Sequence, residues 1–148
     1  MSSDHDISAL NSLITTTLDS MKGYEEAAKD AESTRFAGMF ADFARERGQV
    51  VSDLQAEVTR LGGTPETGSS FLAAAHRTFL DLKQAFTAND DKAIVNEVER
   101  GEDHIKAKYE SALADADLSP STLAIIREAF TSVRAGHDQM SAIKHTLG

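Results

Sequence analysis

Four long stretches of this chain repeat apolar residues at three- and four-residue steps, with few interruptions. That spacing follows the 3.6-residue turn of an amphipathic helix and rules out most other folds. Ile7, Leu10, Ile14, Leu18 and Met21 predict a helix over about 5–31. Phe36, Phe40, Phe43, Val50, Leu54, Val58 and Leu61 predict a second over 34–61, stopped by Gly62-Gly63-Thr64-Pro65, a glycine C-cap followed by proline. Phe71, Ala75, Phe79, Leu82 and Phe86 keep the spacing in a shorter segment, about 70–88, which Asn89-Asp90-Asp91 ends. Asp90 or Asp91 then caps a helix over 91–116 carrying Ile94, Val98, Ile105, Tyr109 and Leu113. Ser119-Pro120 reads as N-cap and first-turn proline of a last helix, 120–147, with Ile126, Phe130, Val133, Met140 and Leu147 on one face. No segment alternates apolar and polar residues over a strand's length, so the fold class is all-α.

Connection lengths set the expected topology. The links near Ala31-Glu32-Ser33 and Asp117-Leu118-Ser119 are short, so the long helices pair into two antiparallel hairpins. About 28 residues separate the hairpins, enough to climb back along a bundle whose helices are roughly 40 Å long at 1.5 Å per residue. The expectation is a ferritin-like four-helix bundle, residues 1–148 forming one domain, with a short crossover helix between the second and third long helices. A five-helix up-and-down arrangement is the competing topology.

The 148 residues hold 15 Lys+Arg against 24 Asp+Glu, a formal net charge of −9. An acidic surface repels phosphate backbones, so no nucleic-acid partner is expected. The absence of Cys removes disulfides, thiolate metal sites and cysteine nucleophiles, and it suits a cytoplasmic location. No apolar run approaches a membrane span, and Met1-Ser2-Ser3-Asp4-His5-Asp6 lacks the features of a signal peptide, so no membrane partner is expected. No Gly-rich phosphate loop or nucleophile elbow is present, and no catalytic residue is assigned.

Some polar residues fall on the apolar faces. Arg47 stands between Phe43 and Val50, Glu102 between Val98 and Ile105, and His137 between Val133 and Met140, while Glu25 lies nearer the edge of its stripe. Counting from the helix ends puts Arg47, Glu102 and His137 at a common depth, with Glu25 one to two turns away. Buried charges need partners. One reading is structural: Arg47 neutralises Glu102, and Glu25 or Glu99, while His137 completes an interior polar layer. The other makes Glu99, Glu102 and His137 ligands for iron or manganese. A fixed guanidinium in the layer opposes a cation, which favours the structural reading and no cofactor.

Gly23-Tyr24-Glu25-Glu26-Ala27-Ala28, Glu46-Arg47, Leu61-Gly62-Gly63-Thr64-Pro65, His76-Arg77, Glu99-Arg100-Gly101-Glu102-Asp103, Tyr109-Glu110-Ser111-Ala112-Leu113 and His137-Asp138 together resemble a bacterial family of uncharacterised ferritin-like four-helix-bundle proteins. The resemblance runs over nearly the whole chain. It implies a ferritin-like fold and a link to bacterial stress physiology, without an established activity. It also raises the question of a di-iron centre, which takes a Glu from each of two helices and Glu-x-x-His from each of the others. Arg134 stands where the last helix needs Glu, Gln49 where the second needs His, and Thr17 or Met21 at the matching depth of the first. The dinuclear set is incomplete. A non-enzymatic protein acting by assembly, such as a homo-oligomer (dimer), or by partner binding is therefore expected, and the alternative is an iron- or manganese-binding protein or oxidase using Glu99, Glu102 and His137.

Tyr24 and Tyr109 flank the layer and are read as packing residues with their hydroxyls at the bundle edge. His76-Arg77 reads as a solvated pair, and His5 and His145 as exposed.

Overall fold

The computed structural model describes residues 3–30, 34–67 and 91–147, and the expected helix over 70–88 lies outside them. Among the described residues there are four helices and no strand: α1 (Asp4–Asp30), α2 (Thr34–Arg60), α3 (Asp91–Leu113) and α4 (Pro120–Leu147). Their bounds fall within a few residues of those read from the apolar period. No described helix is long and apolar enough to cross a membrane.

The glycine signal after α2 is a Schellman cap. Gly62 takes φ +87°, its N–H donates to Thr59 O at 3.0 Å, and Gly63 N–H donates to Val58 O at 2.9 Å. Gly62 thus adopts the left-handed conformation that other residues resist. Gly63 lies directly under Ile7, where a Cβ would come within 2.8 Å of that side chain.

Each helix packs on two neighbours, α1 on α2 and α3, and α4 on α2 and α3. The polar contacts at one end give the directions. Asn11 Nδ2 donates to Thr64 O at 3.1 Å, setting the start of α1 beside the end of α2. His5 and Asp115 meet at 2.8 Å, and Asp6 contacts Ser119, so the end of α3 and the start of α4 lie there too. It follows that α2 and α3 run in the same direction, and the end of α2 and the start of α3 are at opposite ends of the bundle.

Asp6 ties that end together. Its carboxylate accepts hydrogen bonds from Ser119 Oγ at 2.7 Å, Ser119 N–H at 3.2 Å and Thr122 Oγ1 at 3.1 Å, so a residue of α1 helps to cap α4. Burial disfavours the charge, but these bonds outweigh it and hold the carboxyl below its ordinary 3.8. A lowered carboxyl contributes stability above its unfolded pKa and loses that contribution as pH falls through the folded value. Asp6→Asn should therefore cost about 1–3 kcal/mol near neutral pH. Urea unfolding of both proteins from pH 7 to pH 3 should show the difference shrink on the acid side; a constant difference would mean the charge is not what Asp6 contributes.

The apolar core is divided. One cluster, nearer the Asp6 end, includes Leu10, Ile14, Leu54, Val58, Ile105, Tyr109, Ile126 and Val133. The other holds Tyr24, Ala27, Phe36, Phe40, Phe43, Val95, Val98 and Met140. Arg47 and Glu102 are buried between them in sequence order on α2 and α3.

Candidate functional site

The boundary between the clusters is a closed polar layer. Arg47, from α2, is 0 % exposed, and Glu102, from α3, is 1 % exposed. Arg47 Nη2 donates to Glu102 Oε2 at 2.8 Å and lies 3.4 Å from the Val133 carbonyl on α4, while Nη1 donates to Ser20 Oγ on α1 at 3.1 Å. All four helices meet at this guanidinium. The second carboxylate oxygen of Glu102 accepts the Tyr24 hydroxyl at 2.5 Å, and the guanidinium carbon stands 5.6 Å from the centre of the Tyr24 ring. Arg47 Nε alone among the described buried side-chain polar atoms has no hydrogen-bond partner.

Burial and the neighbouring Glu102 charge raise the Tyr24 phenol well above 10, so it stays protonated and keeps donating. One layer nearer the Asp6 end, Tyr109 shares a 2.8 Å hydrogen bond with Thr17, whose hydroxyl is also 2.6 Å from Leu13 O. Burial pushes the Tyr109 phenol up to about 12. Both tyrosine hydroxyls therefore point inward, against the bundle-edge expectation, because each finds a buried acceptor on the opposite helix.

Two of the four residues expected in the layer lie elsewhere. Glu25 is exposed, 3.4 Å from Lys22, and lines an open groove of about 420 Å³ with Arg45 and Gly48. Tyr24 takes the inward position, since a stripe through Thr17 and Met21 continues equally well to residue 24 or 25. His137 is half-buried and turns to Asp103, with Nε2 2.6 Å from Oδ1, and its Nδ1 is 3.3 Å from Asp138 Oδ1. Burial lowers the imidazole pKa, but the hydrogen bonds to Asp103 and Asp138 outweigh it and raise it above 6.5.

The inward position on α4 belongs to Gly136. A Cβ there would overlap Arg47 Nη2 and lie 3.6 Å from Glu102 Oε2, so the guanidinium occupies the space that a side chain would fill. This also separates the expected metal set: Glu102 faces Arg47 and Tyr24, while Glu99 and His137 gather with Asp103. Ser20, Tyr24 and Gly136 are layer residues that periodicity did not single out. The Thr17, Ser20, Tyr24 spacing was a usable signal for the first two; the space needed by Arg47 was not readable for the third.

A family model described as "Domain of unknown function (DUF2383)" matches residues 5–115, three quarters of the chain. The chain belongs to this family. No curated protein matches it in sequence. Within the DUF2383 match lie Ser20, Tyr24, Arg47 and Glu102, as well as Glu99 and Asp103; Gly136 and His137 stand beyond it on α4.

Proposed function

We propose that this DUF2383 protein is a ferritin-like bundle serving as a non-catalytic scaffold, in which an Arg–Glu–Tyr layer replaces a metal centre. The supporting topology is a pair of helical hairpins whose inner helices, α2 and α3, run in the same direction, as in bundles with one long crossover. The observation that carries the reading is the fully buried Arg47 guanidinium, 2.8 Å from the single carboxylate of the layer.

A dinuclear iron site needs carboxylates from four helices and two imidazoles. Here α1 contributes Ser20 and Tyr24, α2 Arg47, α3 Glu102 and α4 a glycine. Arg134 is exposed, and Gln49 is exposed with its amide on Asp53. These residues do not fit the group, and the central position already holds a permanent cation. The layer instead connects all four helices by directional bonds, which suits a role in fixing their register.

The motif resemblance supports a link to bacterial stress physiology, and the Cys-free composition suits a cytoplasmic location. Assembly into a homo-oligomer through exposed helix faces completes this reading.

Aerobic oxidation of ferrous iron, followed by ferric absorbance, tests it. The expected rate with wild-type protein is unchanged by Glu102→Gln, since Glu102 is held by Arg47 and Tyr24. A protein-dependent rate abolished by Glu102→Gln would contradict the scaffold reading.

A further inference from the structure

On the seam between α3 and α4, beside the buried layer, a second polar cluster has no part in the scaffold. Glu99 and Asp103 stand one turn apart on α3, and His137 reaches them from α4; one ligand atom from each lies within 4.8 Å of the other two. Glu99 and His137 are half-buried and Asp103 is exposed, so the cluster is open to solvent on one side.

The surroundings of the imidazole are the informative part. Carboxylate oxygens face both ring nitrogens, Asp103 at Nε2 (2.6 Å) and Asp138 at Nδ1 (3.3 Å). A neutral imidazole has one N–H and donates to only one of these carboxylates, whereas the protonated ring donates to both. The shorter contact, Nε2 to Asp103, is a hydrogen bond with a proton between the two atoms, and the Nδ1 contact to Asp138 is the longer one. A cation that displaces this proton takes Nε2 and the Asp103 oxygen as joint ligands, with the remaining N–H on Nδ1 directed at Asp138. Asp138 then supplies the outer carboxylate that fixes tautomer and ring orientation in histidine–metal sites. Lys106, also on α3, is a weaker opposing influence on the ring than the two carboxylate hydrogen bonds.

We propose that Glu99, Asp103 and His137 form a mononuclear site for a first-row divalent cation of the Mn²⁺, Fe²⁺ or Zn²⁺ class. One imidazole nitrogen and two carboxylate oxygens match the preferences of those ions, and three protein ligands leave positions for water. Metal–ligand bonds of about 2.0–2.2 Å require Nε2 and the Asp103 oxygen to separate by roughly 0.5–1 Å, a movement that the exposed Asp103 side chain can supply. This set differs from the one read along the sequence, because Asp103 replaces Glu102. It is independent of the interior layer.

Titration of the chelator-treated full chain with ZnCl₂, and separately with MnCl₂, in a calorimeter tests the proposal. The expected result is one ion per chain, weakened about 10- to 100-fold or more by Asp103→Asn and by His137→Ala. His5→Ala, which removes the imidazole of the cluster His5–Asp115–Asp117, should leave that binding unchanged. Circular dichroism establishes that each variant is folded, and Glu99→Gln replaces any that is not. Absence of binding by the wild type, where the imidazole carries only a proton, would overturn the proposal. So would binding that survives loss of both Asp103 and His137, or that is lost with His5.

Discussion

Arg47→Met should lower stability by about 3–5 kcal/mol, the loss that follows when one partner of a buried ion pair is removed. Methionine reproduces much of the aliphatic length of Arg47, so lost packing is a minor part. What remains is the Glu102 carboxylate, 1 % exposed, with the Tyr24 hydroxyl as its described hydrogen-bond donor. Ser20 Oγ loses its donor as well. Against a typical total of about 5–15 kcal/mol, such a loss would move the urea midpoint far down or leave the protein partly unfolded. A loss below about 1 kcal/mol would mean that solvent reaches the pair and the layer does not hold the bundle together.

Gly136→Ala should cost about 1–3 kcal/mol even though it adds one methyl group to a helix. On an open helix face the same change favours stability by about 1 kcal/mol, because alanine is the better helix former. At position 136 the methyl group meets Arg47 Nη2, the atom that holds Glu102. The guanidinium is buried and bonded to three helices, so it moves only by breaking those bonds. In the Arg47→Met background the conflict disappears, and Gly136→Ala should become neutral or favourable. Urea unfolding of the two single variants and the double variant gives the coupling directly. Additive losses would show that Gly136 and Arg47 do not share this space.

The contrast between these residues explains what periodicity could reveal. Arg47 and Glu102 are legible because each interrupts an apolar stripe, between Phe43 and Val50 and between Val98 and Ile105, and helical spacing alone puts both inside. Gly62-Gly63 before Pro65 is legible because the chemistry of a helix stop is local. The choice between Tyr24 and Glu25, or between Gly136 and His137, is different. Adjacent residues lie only 100° apart on a helix, and a small rotation decides which faces inward. On α4 the rotation is set by close approach to Arg47, a contact from another helix. Asp103 is illegible for the same reason: its partner is an imidazole 34 residues away on α4.

The central claim is that the interior of this bundle is organised by mutual pairing of Arg47, Glu102 and Tyr24. Its most direct test is the urea stability of the triple variant Arg47→Met, Glu102→Leu, Tyr24→Phe, which removes the charges and the hydroxyl together. Replacing a whole buried ionic cluster by apolar groups of similar volume is often neutral or stabilising. The triple variant should recover most of the Arg47→Met loss, to within about 1–2 kcal/mol of the wild type. A triple variant as unstable as Arg47→Met alone would contradict the account.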